Sequence, residues 1–181
     1  MQIREKMHLY KVSWHPRVQI KQLGKFGREN RETRKVVIGT HTGTHVDAPR
    51  HFIKRGQTID NITLDKLCGK ATLLDFSKFP EKTEISLKDL KKRIKNRKLR
   101  DKVVIRYDWD KRSTKKNYFT HHPYLSTEAC KWLVKKGIKL IALDCPQPDN
   151  PINSRGSEKD AENHKIFLGN HVLIAEYLIN L

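Results

Sequence analysis

The chain is poor in cysteine and contains no long apolar run, and each shortage excludes a class of protein. Its three cysteines, Cys68, Cys130 and Cys145, are an odd, widely spaced set with no CxxC pair. That argues against a disulfide framework and against a structural zinc knuckle, and fits reduced thiols. Every apolar stretch falls well short of the roughly 18 to 20 residues that cross a bilayer, and the segment MQIREKMHLYKVSW has no uninterrupted signal-type core. A cytoplasmic protein without membrane contact is expected. Negative charge is also scarce: 20 Asp and Glu stand against 38 Lys and Arg, a net charge of +18.

Such an excess favours anionic partners through its field. The basic residues concentrate in KDLKKRIKNRKLRDK (88 to 102) and DKRSTKK (110 to 116). No nucleic-acid reading module accompanies them, so they read as solvated faces and nucleic acid is not the expected partner.

At 181 residues the chain has enough length for one domain with a proper core, expected over residues 1–181. LYKVSW, RVQIKQL and RKVVIGT read as short strands, IDNITLDKLCG as a turn of helix closed by Gly69, and KATLLDF as a strand. From Ile85 to Asn96, Ile85, Leu87, Leu90 and Ile94 recur at helical spacing with Ser86 as a cap. KVVIRY and IKLIALD read as buried strands, with an exposed connection from Asp108 to Thr120 after the first. Between them lies a helix capped by Ser126 and ended by Gly137, with an apolar stripe of Ala129, Trp132 and Leu133. The three-proline segment CPQPDNPINSRGS is a long loop of the kind that carries function. A short helix around AENHKIF, stopped by Gly169, and the strand HVLIAEYL complete the chain. The fold class is α/β, a mixed central β-sheet with flanking helices.

The segment HTGTHVDAPRH places His41, His45, Asp47 and His51 within eleven positions. A helix would leave Asp47 off the face shared by His41 and His45, and Gly43 and Pro49 occupy it poorly. A straight strand would separate His41 from His45 by roughly 13 Å, too far for one ion whose bonds to N and O donors measure about 2.0 to 2.2 Å. The remaining conformation is a sharply folded loop at a strand end, with Gly43 supplying unusual backbone angles and Pro49 fixing the exit. It can bring His41, His45 and Asp47 onto one cation and leave His51 nearby. Neutral imidazole with a hard carboxylate suits Zn²⁺, Mn²⁺ or Fe²⁺.

HTGTHVDAPRHF resembles the HxGTHxDxPxH pattern of the cyclase family of metal-dependent hydrolases, which includes bacterial kynurenine formamidases. PYLSTEACKWLVKKGIKLIALD resembles that family's helix-then-strand segment, and NHKIFLGNHVLIAEYLINL resembles its C-terminal ending, so the likeness covers about residue 36 to the end. It implies the swivelling β/β/α fold and one or two divalent ions, zinc first and manganese or iron otherwise. His41, His45 and Asp47 would hold one ion, with Asp47 bridging to a second completed by His164 and Glu176. His51 would carry protons, and the substrate would be a small amide such as an N-formyl aryl amide or a cyclic, isatin-type amide. Dimers or larger homo-oligomers are also implied.

Physical chemistry agrees at Glu176, which interrupts an apolar strand on the face of Val172 and Ile174 and needs a cation or proton as partner if buried. The N-terminus departs from the family's Trp-Pro-Gly-Asp turn: the chain reads SWHPRV, with Trp14 at the aromatic position as a substrate contact or a core residue. His171 competes with His164 for the ligand role, His121 and His122 read as exposed loop residues, and Cys145 as a small packed residue.

Overall fold

A computed structural model describes residues 1–153 and 156–181; Ser154 and Arg155 of the three-proline loop lie outside the described residues. Nine strands and three α-helices follow one another along the described chain. The N-terminal ribbon pairs β1 (Gln19–Gly24) antiparallel with β2 (Thr33–Val37). The central sheet has the order β3-β9-β8-β6-β4, formed by β3 (His45–Asp47), β4 (Thr72–Asp75), β6 (Lys102–Arg106), β8 (Leu140–Leu143) and β9 (Leu173–Glu176). β4, β6, β8 and β9 run parallel, while β3 joins the edge of β9 antiparallel. This is the mixed sheet with flanking helices that the sequence pattern predicts.

The helices form where their caps sit. Ser86 and Asp89 make a reciprocal capping box at the start of α1 (Leu87–Ile94), satisfying amide groups that the first helical turn leaves without partners. Ser126 accepts from the Ala129 amide at 3.2 Å and opens α2 (Thr127–Lys135), and Gly137, at φ +76°, turns the chain away after it. α3 (Glu162–Gly169) has no cap of its own, since Ala161 precedes it in a left-handed conformation. Alternation in the strands divides the core. Leu74, Val103, Ile105, Ile141, Leu143 and Ile174 meet Leu90, Leu133, Phe167 and Leu168 of the helices, whereas Leu140, Ala142, Leu173 and Ala175 face Ile62 and Leu67 on the other side.

Several expectations are corrected. LYKVSW forms no strand. Ile85 belongs not to the helix but to β5 (Glu84–Ile85), which pairs parallel with β7 (Tyr124–Leu125). The segment before Gly69 makes two 3-10 turns, Ile59–Asn61 and Leu64–Lys66. The connection from Asp108 to Thr120 is not simply exposed, because it plants Trp109, Tyr118 and Phe119 in the core while its basic tip faces water. His122 is fully buried rather than exposed, its Nδ1–H donating to the Pro123 carbonyl at 2.9 Å. No helix among the described residues is long and apolar enough to cross a membrane.

Candidate metal centre

The site forms at the carboxyl end of β9, the end of a parallel strand at which α/β sheets place ligands. Its register is fixed by the pairing of β3 with β9, which sets His45 opposite Glu176 and Asp47 opposite Ile174. Side chains two apart share a face, so His45 and Asp47 point with Glu176 and Ile174 toward the helices. Before β3 the chain doubles back through Gly43, at φ +66°, where a Cβ would meet Ile3 at 3.3 Å. That turn returns the His41 ring until Nδ1 lies 3.0 Å from His45 Nε2 and 2.7 Å from Asp47 Oδ1. The loop is held by Thr44, whose hydroxyl donates to the Tyr177 carbonyl at 2.6 Å, and by His15, whose Nε2 lies 3.2 Å from the His41 carbonyl.

Two potential ligand groups share Asp47. His41, His45 and Asp47 present one ligand atom each within 4.8 Å of one another, and so do Asp47, His164 and Glu176. The structure therefore brings together all five residues that the sequence nominated as ligands. His51 arrives on the 3-10 turn Pro49–His51; its ring stacks on that of His41 at 3.7 Å and meets that of His164 edge-on at 6.1 Å. His171 is exposed, ahead of β9 and away from the site. Trp14 is 74% exposed, so it is not a core aromatic. Cys145 is fully buried with its thiol pushed up by burial, and packs as a small apolar residue.

The hydrogen-bond directions show what the site can hold. The Gly43 carbonyl only accepts, so at 2.9 Å it fixes the proton of His45 on Nδ1 and turns the Nε2 lone pair inward, 3.1 Å from Asp47 Oδ1. His164 Nδ1 is engaged by the Asp149 carboxylate, so its Nε2 faces Glu176 Oε1 at 3.1 Å and Asp47 Oδ2 at 3.4 Å. Lone pairs aimed at carboxylate oxygens repel unless a proton or a cation lies between them. Both oxygens of Asp47, and Oε1 of Glu176, are buried with only imidazole nitrogens within reach among the described residues. Groups so placed are costly unless something positive satisfies them.

The charges carry the same strain. Burial, reinforced by the charge of Asp47, pushes Glu176 up to about 7 against the pull of His164. Burial would raise Asp47 as well, but contacts with His164, His41 and His45 outweigh it and hold the carboxyl well below its usual range. His164 is raised although burial opposes it, chiefly by the Asp149 carboxylate. Burial, helped by the neighbouring imidazoles and opposed by the charge of Asp47, pushes His51 down to about 4, so its ring is neutral near pH 7. Two carboxylates and three imidazoles in a buried cluster suit a divalent cation, whose charge would balance the two anions.

Asp149 is a site residue that the sequence reading did not single out, although it placed function in the three-proline loop that carries it. An acidic residue between Pro148 and Asn150 signals nothing by itself. Gly56 also went unrecognised: a Cβ there would lie 2.6 Å from the Pro49 carbonyl carbon, so glycine is required where the chain closes back on the His51 turn.

Comparison with known proteins places this geometry. The Cyclase family model matches residues 1–150, and the chain belongs to that family. The match begins well before residue 36, so the family likeness includes the atypical N-terminal segment. Kynurenine formamidase of Bacillus cytotoxicus is 30% identical over 140 residues, 77% of this chain and 62% of that protein. This chain thus spans about three-fifths of the length of such curated relatives. Among solved structures, isatin hydrolase A from Labrenzia aggregata bound to benzyl benzoate superposes with a TM-score of 0.88 at 19% identity, covering 100% of this chain and 79% of that one. An isatin hydrolase bound to the product analogue thioisatinate gives 0.81 at 24% identity, covering 92% and 70%. These likenesses extend the shared fold beyond residue 150, to α3 and β9.

Proposed function

We propose that this chain is a divalent-cation-dependent hydrolase of small amides, acting on the C–N bond of an N-formyl aryl amide such as N-formylkynurenine. The observation that carries this reading is the pair of imidazoles, His45 and His164, whose Nε2 lone pairs both converge on the buried carboxylate of Asp47. His41, His45 and Asp47 would hold one ion, and Asp47, His164 and Glu176 a second; zinc is the first candidate, then manganese or iron. A cation bound there supplies Lewis acidity, making water available as hydroxide near neutral pH and drawing charge onto the carbonyl oxygen.

His51 does the proton work. Held beside His41 by the Pro49 turn, it takes the proton lost by the attacking water and delivers it to the departing nitrogen, so an amide and water yield a carboxylic acid and an amine. Phe52, 4.7 Å from the His164 ring, gives the site an apolar wall suited to an aromatic acyl or amine part. Trp14, exposed next to His15 at the metal loop, serves as a substrate-contacting aromatic. A homodimer or larger assembly of one-domain chains is part of the proposal.

Isatin-type cyclic amides are the second reading, favoured by the fold shared with isatin hydrolases. The test is elemental analysis of the purified protein, followed by assays of N-formylkynurenine and isatin with zinc, manganese or iron restored to chelated enzyme. Cation-dependent release of formate supports the first reading and ring opening the second. Absence of both, with salt-sensitive binding to nucleic acid, would replace them with a binding protein that keeps its metal for structure.

A further inference from the structure

We infer that Asp149 is a positioning residue that locks the imidazole of His164 into the orientation and tautomer required to bind a cation through Nε2, an inference that rests on the cation reading above. Asp149 is 3% exposed, at the end of the Pro146 to Pro148 stretch, and its two oxygens are separately engaged. Oδ1 accepts from the Asn163 amide at 2.6 Å and Oδ2 meets His164 Nδ1. Asn163 fastens the arrangement from the other side, its side-chain amide donating to the carbonyls of Leu125 at 2.7 Å and Pro148 at 2.9 Å. The loop, the start of α3 and β7 are thereby tied at one point.

Among the described residues, no Lys or Arg pairs with Asp149; its ion-pair partner is His164. A carboxylate accepts hydrogen bonds and donates none when ionised, so it fixes the His164 proton on Nδ1 and leaves the Nε2 lone pair for Asp47, Glu176 and their cation. Its negative charge also raises the basicity of that nitrogen. His45 obtains its tautomer from a neutral backbone carbonyl, whereas His164 obtains it from a buried charge, so the second ligand group depends on a side chain that mutation can remove.

Asp149 also meets an amide in the first turn of α3, where Ala161 offers no side-chain cap, so a merely structural role must be separated from a positioning one. D149N retains an acceptor for that amide but loses the charge; D149A loses both. Zinc affinity would be measured by competition with a chromogenic chelator, alongside thermal unfolding of the cation-free proteins. D149N is expected to bind zinc roughly 10- to 100-fold more weakly than wild type while unfolding at nearly the same temperature without zinc. In ¹⁵N-edited histidine spectra of the zinc-loaded wild type, which need no variant, His164 should carry its proton on Nδ1 and its cation on Nε2. Wild-type zinc affinity in D149N, or a His164 metallated through Nδ1, would overturn the assignment of Asp149 while leaving the metal centre standing. A wild type that takes up no zinc, manganese or iron would instead remove the cation reading, and the inference with it.

Discussion

His45 stands directly opposite Glu176 across the antiparallel pairing of β3 with β9, with Nε2 3.8 Å from the nearer carboxylate oxygen. This one register brings the histidine motif from the first third of the chain to the carboxylate near its end. A slip by one residue would turn His45 and Asp47 to the opposite face of the sheet.

E176Q keeps the shape of that carboxylate and removes its charge. Zinc affinity should fall by on the order of 100-fold or more, since a ligand matters at least as much as its outer partners. Isothermal titration of chelated protein measures this, and affinity equal to wild type would remove Glu176 from the ligand set.

Cation removal should lower stability as well as activity, because a group that binds only the folded state stabilises it by mass action. At a free zinc concentration about 100 times the dissociation constant the gain is about 2.7 kcal/mol, worth roughly 5 to 10 °C in a protein of this size. Thermal scans with and without a chelator provide the comparison.

H51A should bind zinc with nearly wild-type affinity and turn over about 10²- to 10⁴-fold more slowly, the usual worth of a positioned general acid or base. Loss of zinc in this variant would mean that His51 is a ligand.

G56A places a methyl group 2.6 Å from the Pro49 carbonyl carbon and 2.8 Å from the Arg50 nitrogen, both backbone atoms that cannot swing aside. The segment must open, moving His51 away from His41. A stability loss of roughly 1 to 3 kcal/mol in urea unfolding should accompany reduced turnover, with zinc affinity less affected.

His122 supplies a pH test outside the proposed ligand set. Burial pushes it down to about 4 from an ordinary value near 6.5, so the unfolded chain binds the proton more readily than the folded one. Its contribution is therefore complete above about pH 7.5 and is lost as the pH falls, by about 3 kcal/mol at pH 4. Because Glu176 and Asp144 are shifted upward and act in the opposite sense, the useful quantity is the difference between wild type and H122Q. The stability advantage of wild type over H122Q should shrink by that amount between pH 7.5 and pH 4; a constant difference would show that His122 is not held neutral.

Local chemistry made much of this legible in the sequence. Ser86 and Ser126 announce helix starts because a hydroxyl satisfies amides within its own turn, and KVVIRY and IKLIALD read as buried strands because both their faces are covered. The spacing of His41, His45 and Asp47 around Gly43 pointed to a folded loop at a strand end; the chain bends at Gly43, while His45 and Asp47 themselves lie on β3. Where the reading failed, long-range packing overrode local polarity: Trp109 and Tyr118 turn a basic connection inward, and His122 is sealed behind it.

The sequence by itself pointed to the candidate ligand types, to the bend at Gly43 and to the mixed α/β class, because backbone sterics and hydrophobic periodicity act over a few residues. Only the tertiary structure decided that Glu176 falls opposite His45, that Asp149 reaches His164 from a separate loop, and that Gly56 closes on Pro49. Those relationships depend on strand register and loop closure between distant segments, which no local pattern encodes.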